Sequence, residues 1–186
     1  MQSRTTIGLI DFEASSLNRT KSYPISVGIA IFDPTNHATP ITQTYYRLIR
    51  PHRDWTDWNI ASQHIHKISR DTLQRDGHNI DTIQQELRTY FTNIPLFAGS
   101  SYDQYWMNRL YQHANPSLTL YDFDSYLYEI AQDNETNIKK AIKKAKNISQ
   151  HTHNALDDAI HMAHIAQQLH AIIGHNIPDN IVNYPL

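Results

Sequence analysis

The sequence predicts an α/β layer fold built on a mixed sheet. Three observations carry that expectation. Three strand-like segments open the chain, and helical and strand-like segments then alternate, the pattern of a sheet flanked by helices. The links joining the first three strands are also too short for parallel crossovers, so those strands are expected to be antiparallel neighbours. Helices before and after the fourth strand suit parallel pairing there.

The first three strands are "TTIGLIDF" (5–12), "ISVGIAIF" (25–32) and "TQTYYRLI" (42–49), rich in β-branched and aromatic residues. Turn residues separate them: Asn18, Tyr23-Pro24 and Asp33-Pro34. From about 59 to 93 the apolar spacing becomes helical, with two short segments, "NIASQHIHKI" and "SRDTLQR", before the longer amphipathic "NIDTIQQELRTYFTNI". "PLFAGS" is a fourth strand, followed by the helix "YDQYWMNRLYQHA"; "LTLYD" is a fifth. Helices are expected at about 124–132, 135–147 and 153–173. In the last of these, Leu156, Ala159, Ile160, Ala163 and Ile173 form an inward stripe, while Asp157, His161 and His164 share another face, the two His as a solvated flank. The tail "NIPDNIVNYPL" has two Pro and no periodicity. The expected division is one domain over 1–173 and a tail over 174–186.

A chain of 186 residues buries about 70% of its unfolded surface, enough for a core without disulfides. The absence of Cys removes thiolate chemistry and Cys-ligated zinc. A net charge of −2 argues against simple coating of nucleic acid, though not against local basic groups. No apolar run approaches the ~20 residues of a membrane span, and the N-terminal residues do not resemble a signal peptide. A soluble, cytoplasmic protein that binds no membrane is the expectation.

The chemistry begins with "DFE". Residues i and i+2 of a strand share a face, so Asp11 and Glu13 project side by side, an arrangement of like charges that calls for a cation between them. Asp103 opens the helix after the fourth strand, at the strand ends where α/β sheets usually bind ligands. Asp158 lies in the first turns of the last helix, and His153 precedes it by five positions. Four carboxylates and an imidazole can converge on one point, and hard oxygen ligands in that number suit Mg²⁺ or Mn²⁺. Taken singly, each has a plainer reading: Asp11 and Glu13 as a solvated strand end, Asp103 as a helix N-cap, His153 and Asp158 as a surface pair.

The residues taken together resemble the DEDDh (DnaQ-like) 3′–5′ exonuclease family, and in particular its small stand-alone members. DFE ends the first strand, an Asp opens a mid-chain helix, and "HNALDDA" supplies a His with an Asp five residues on. The likeness spans roughly residues 5–172 and includes "IHKIS" after the third strand. It implies a ribonuclease H-like three-layer fold with a five-stranded mixed sheet, order 3-2-1-4-5, strand two antiparallel. It also implies two divalent ions about 4 Å apart on the scissile phosphate, bridged by Asp11. Glu13 and Asp158 would hold the ion that activates water, Asp103 would act mainly through the other, and His153 would take the water's proton. The catalytic set so implied is Asp11, Glu13, Asp103, His153 and Asp158, with the four acids as metal ligands. Phe12, Ala14, Ser15, Leu17 and His66 would line the 3′-terminal nucleotide. Ala14 stands where relatives often have Thr, and Ser100 and Ser101 where many have Asn.

The implied partners are single-stranded DNA or RNA 3′ ends, with no motif that chooses between them. The resemblance also admits a homodimer, though no sequence feature establishes an interface. Two neighbours compete in the last motif. His151 would need a step of seven to Asp158, so the five-residue step favours His153, and Asp157 adjoins Asp158. "NIKKAIKKAKN" places Ile138, Ala141, Ile142 and Ala145 inward, leaving Lys139, Lys140, Lys143, Lys144 and Lys146 to solvent or a phosphate backbone. Trp106 is expected in the core, and Trp55 and Trp58 to anchor their loop or stack on bases. The competing functions are a catalytically silent nucleic-acid-binding module of the same fold and a hydrolase of a small phosphodiester.

Overall fold

In the computed structural model, residues 6–36, 38–112, 117–174 and 184–186 are described. Five strands form one sheet, in the order β3-β2-β1-β4-β5. They are β1 (Ile7–Ala14), β2 (Pro24–Phe32), β3 (Ile41–Leu48), β4 (Leu96–Ala98) and β5 (Leu120–Asp122). β2 is antiparallel to both β1 and β3, while β4 is parallel to β1 and β5. This is the strand order the resemblance implied.

Side chains alternate across β1, and the alternation sets the site. Ile10, Phe12 and Ala14 enter a core with Trp106, Met107 and Leu110 of α4 (Ser101–Leu110) and with Ile83, Leu87 and Phe91 of α3 (Ile80–Phe91). Ile7 and Leu9 enter the opposite core, under α5 (Phe123–Ile130), α6 (Glu135–Ala145) and α7 (Ala155–Ile173). Asp11 and Glu13 continue that second row, so they face α7. β2 is buried along its whole length because both its faces are covered. β3, at the sheet edge, leaves Thr42, Gln43 and Thr44 exposed.

Two short helices, α1 (Ile60–His66) and α2 (Arg70–Asp76), link β3 to α3. Asn59 caps α1 by accepting from Ser62 N–H, and its own N–H donates to the Ser15 carbonyl, which ties this segment to the end of β1. Trp55 and Trp58 do anchor the preceding loop. Trp55 is buried and stacked on Tyr23 with ring centroids 5.1 Å apart, and half-buried Trp58 donates from Nε1 to Gln63. Trp106 is in the core and donates to Ser22.

Several boundaries move. β1 runs two residues past the expected end, so Asp11 and Glu13 lie inside the strand, with an irregularity between Glu13 and Ala14. α4 stops at Leu110, and the expected extension to Ala114 falls partly outside the described residues. Thr5 and residues 175–183 of the tail lie outside them too. Tyr184 and Leu186 bond the backbone of Asp122 and Leu120. No helix among the described residues is long and apolar enough to cross a membrane.

Candidate active site

Asp11, Glu13 and Asp158 each place a carboxylate oxygen within 4.8 Å of the others. The two from β1 arrive by strand alternation and the third by the docking of α7. That docking depends on Gly28, the cross-strand partner of Asp11 on β2. A Cβ there would lie 2.3 Å from the Ala155 carbonyl, so only glycine lets the first turn of α7 approach this closely. Asn154 caps α7, its side chain accepting from Leu156 and Asp157 N–H at 3.0 and 3.3 Å. Asp158 then falls in the first turn, where the helix dipole favours a negative charge.

Asp103 enters from the other edge of β1. β4 pairs with β1 only at Gly8 and Leu9, and further along that edge the Phe12 N–H donates to the Asp103 carboxylate. Asp103 is buried and is not the N-cap of α4. Ser100 holds that position, accepting from Tyr102 N–H at 3.1 Å, which corrects the plain reading of Asp103.

The electrostatics follow from this crowding. Burial, reinforced by the charges of Asp103, Glu13 and Asp158, holds the Asp11 carboxyl well above the usual carboxylate range. Burial and Asp158 push Glu13 up to about 7. Burial pushes Asp103 up to about 8, against the opposing amides of Phe12 and Ser100. The donor set is all oxygen, and the buried Asp158 Oδ2 accepts no hydrogen bond among the described residues, its nearest polar neighbour being His151 Nε2 at 3.2 Å. The residues therefore fit divalent cations, which relieve the repulsion and fill the unsatisfied valence.

His153 sits just before the α7 cap with φ 57°, a left-handed conformation that non-glycine residues adopt rarely. Its imidazole is within 4.8 Å of the Asp158 carboxylate, so strand β1, α4 and the start of α7 bring all five expected residues to one place. The segment carrying it is pinned by Thr152, whose N–H donates to Asp158 Oδ1 at 2.7 Å.

Of the residues expected around a terminal nucleotide, Leu17 is exposed, while Phe12, Ala14 and Ser15 are buried. The Ser15 hydroxyl is engaged internally, donating to Asp57 at 3.2 Å and accepting from Tyr23 N–H at 3.2 Å. Asp57 also accepts from Ser16 at 2.5 Å, a strap that no sequence motif signalled. His66 is buried; its Nδ1 accepts from Ile68 N–H at 3.1 Å, leaving the proton on Nε2, a buried atom with no hydrogen-bond partner among the described residues. Burial and the nearby His153 pull its pKa down to about 4, so it is neutral.

One expectation about histidines is corrected. His161 and His164 are not a solvated flank: His161 is buried, His164 half-buried, and both Nδ1 atoms meet the Ser149 hydroxyl, at 2.9 and 2.8 Å. His151, set aside on spacing, lies with Nε2 3.2 Å from Asp158 Oδ2. The Lys-bearing helix is as expected, with Ile138, Ala141 and Ala145 buried and the five lysines exposed.

A family model described as Exonuclease (RNase T) matches residues 9–166. The fold is similar to that of the nuclease domain of 3′hExo, a DEDDh family member solved with rAMP. That likeness has a TM-score of 0.72 at 15% identity and covers 94% of this chain and 95% of that one. Cell-death related nuclease 4 (CRN-4) matches with a TM-score of 0.66 at 18% identity, over 94% of this chain and 66% of that one. E. coli ExoI in its zinc-bound complex with single-stranded DNA matches with a TM-score of 0.64 at 14% identity, over 90% and 41%. Comparison with curated proteins gives no match.

Proposed function

The chain belongs to the exonuclease family, and on that premise we propose that it is a metal-dependent 3′–5′ exonuclease. It hydrolyses single-stranded nucleic-acid ends to nucleoside 5′-monophosphates. The observation that carries this reading is the convergence of Asp11, Glu13 and Asp158 within 4.8 Å, with Asp103 held against the same strand. These four acids would hold two ions, Mg²⁺ or Mn²⁺. When bound, such ions neutralise the scissile phosphate and lower the pKa of water.

The chain's own residues supply the rest. Asp11, central in the cluster, would contact both ions, with Glu13 and Asp158 on the nucleophile side and Asp103 on the leaving-group side. The His153 imidazole takes the proton of the attacking water. His66 offers its Nε2–H, and Leu17 its exposed side chain, to the terminal nucleotide, beside the backbone of Phe12, Ala14 and Ser15. The working unit is residues 1–173, with 174–186 as an appendage.

A polymeric substrate is favoured over a small phosphodiester because Leu17, His151 and His153 are exposed at the site. The lysines of α6, a helix packed on α7, add positive charge on the flank. A silent binding module is disfavoured because all four acids are retained. The test is a time course on 5′-labelled single-stranded RNA and DNA of equal sequence, in Mn²⁺, Mg²⁺ or EDTA, beside Asp11→Ala. A metal-dependent ladder shortening from the 3′ end, absent in the variant, is expected, and the faster polymer names the substrate. No shortening of either polymer in any metal contradicts the proposal.

A further inference from the structure

Asp158 belongs to two groups of ligand atoms, and the second is unlike the first. With His151 and His153 it forms a set whose donor atoms also lie within 4.8 Å of one another. The spacing is H-x-H-x(4)-D, and its donors are two imidazole nitrogens and one carboxylate oxygen. His151 Nε2 stands 3.2 Å from Asp158 Oδ2, close to the edge of about 3.4 Å in a tetrahedron with bonds of about 2.1 Å. The two imidazole rings meet edge to face, centroids 4.6 Å apart, so both side chains are already gathered on one side of the carboxylate.

The frame around them is rigid where a metal needs it and open where a metal must enter. Thr152 is bound twice to the first turn of α7, through its N–H to Asp158 and through its hydroxyl to Asp157 at 3.1 Å. Asp158 is buried, whereas His151 and His153 are exposed. Asp11, Glu13 and Asp158 present oxygen only, the preference of Mg²⁺ and Mn²⁺. Two imidazoles with one carboxylate, and a fourth position left to water, are the donor set of zinc.

We propose that His151, His153 and Asp158 form a zinc site that excludes the catalytic arrangement, making Zn²⁺ a reversible inhibitor of this protein. Zinc held there removes the imidazole of His153 from proton transfer and turns a lone pair of Asp158 away from the acid cluster. Magnesium does not compete well for it, because two of its three donors are nitrogen. The inhibitory consequence rests on the exonuclease reading; the site itself does not.

The two parts are tested separately. In 10 mM Mg²⁺ (an excess over any stoichiometric zinc), calorimetric titration with Zn²⁺ is expected to show one tight site. Replacing Zn²⁺ by Co²⁺ should give the visible absorption of four-coordinate nitrogen and oxygen ligation. His151→Ala, an exposed change, should weaken Zn²⁺ at least tenfold, and His151→Gln should do the same. Measured against its own rate in Mg²⁺ alone, His151→Ala should need at least tenfold more Zn²⁺ for half inhibition than the unmodified protein does. Equal zinc affinity in the unmodified protein and both variants overturns the site, as does the absence of tight zinc binding in excess Mg²⁺. If neither RNA nor DNA is hydrolysed, the exonuclease reading fails, while the binding titration still decides the site.

Discussion

Gly28 lies directly beneath Ala155: a Cβ on it would come within 2.3 Å of the Ala155 carbonyl and the Leu156 amide nitrogen. Because Gly28 is also the cross-strand partner of Asp11, this one contact sets how far Asp158 stands from the acids of β1. The neighbouring atoms are backbone at the start of a helix and cannot rotate aside. Gly28→Ala is therefore expected to cost about 1–3 kcal/mol of stability by overpacking. Nuclease activity should fall further than folding does, since the displaced helix carries Asp158. Chemical denaturation alongside initial rates checks this; an undiminished rate in the folded variant contradicts it.

The acids predict how stability depends on pH and metal. Glu13 and Asp103 are raised to about 7 and about 8 in the folded protein, above their usual values near 4. The folded, metal-free protein thus holds their protons more tightly than the unfolded chain. Their contribution is full below pH ~4 and is lost as pH rises through 7 to 8. Bound cations reverse that loss. The rise in melting temperature on replacing EDTA with Mn²⁺ should be larger at pH 8.5 than at pH 5.5. In EDTA at pH 8.5, Asp103→Asn should melt above the unmodified protein, yet respond less to Mn²⁺. A metal-induced rise that is equal at both pH values counts against the account.

His153 is separable from the acids. His153→Ala removes an exposed imidazole outside the helix, so the fold and the all-oxygen metal set remain. The rate should fall about 10²- to 10⁴-fold, the usual worth of general base catalysis. Mn²⁺ affinity should change little. Calorimetry with Mn²⁺ together with initial rates and a melting curve distinguishes this from a general loss of structure.

His66 presents a buried Nε2–H with no hydrogen-bond partner among the described residues, a state that normally costs about 1–3 kcal/mol. A bound nucleotide that accepts from it recovers that cost. His66→Ala should therefore raise KM for short oligonucleotides about tenfold or more, with a smaller change in kcat. A drop in kcat at unchanged KM would place His66 elsewhere in the mechanism.

The fold was largely legible because local signals and tertiary packing agree. The apolar runs of β1 and β2 and the apolar stripe of α6 each specify an element that packing then keeps. The acids were legible as a set: strand alternation put Asp11 beside Glu13, and the resemblance to the DEDDh family joined Asp103, His153 and Asp158 to them. What escaped depends on contacts between distant segments. Asp57 straps Ser15 and Ser16 from more than forty positions away, and nothing around it marks a partner. Ser149 draws His161 and His164 out of solvent although their helical positions read as a polar flank. His151 was set aside on a spacing argument, but the left-handed turn at His153 lets both imidazoles reach one carboxylate. Gly28 left a faint trace, a glycine within an apolar strand, whose meaning appears only once α7 is placed.

The central claim is that water, activated at these acids and deprotonated by His153, attacks the terminal phosphodiester and leaves the phosphate on the released nucleotide. The most direct test is one round of hydrolysis of a single-stranded oligonucleotide in H₂¹⁸O with Mn²⁺, followed by mass spectrometry of the products. The account predicts a nucleoside 5′-monophosphate carrying one ¹⁸O in its phosphate, with an unlabelled 3′-hydroxyl on the shortened strand. A nucleoside 3′-phosphate, a 2′,3′-cyclic phosphate, or ¹⁸O found only in the shortened strand would contradict it.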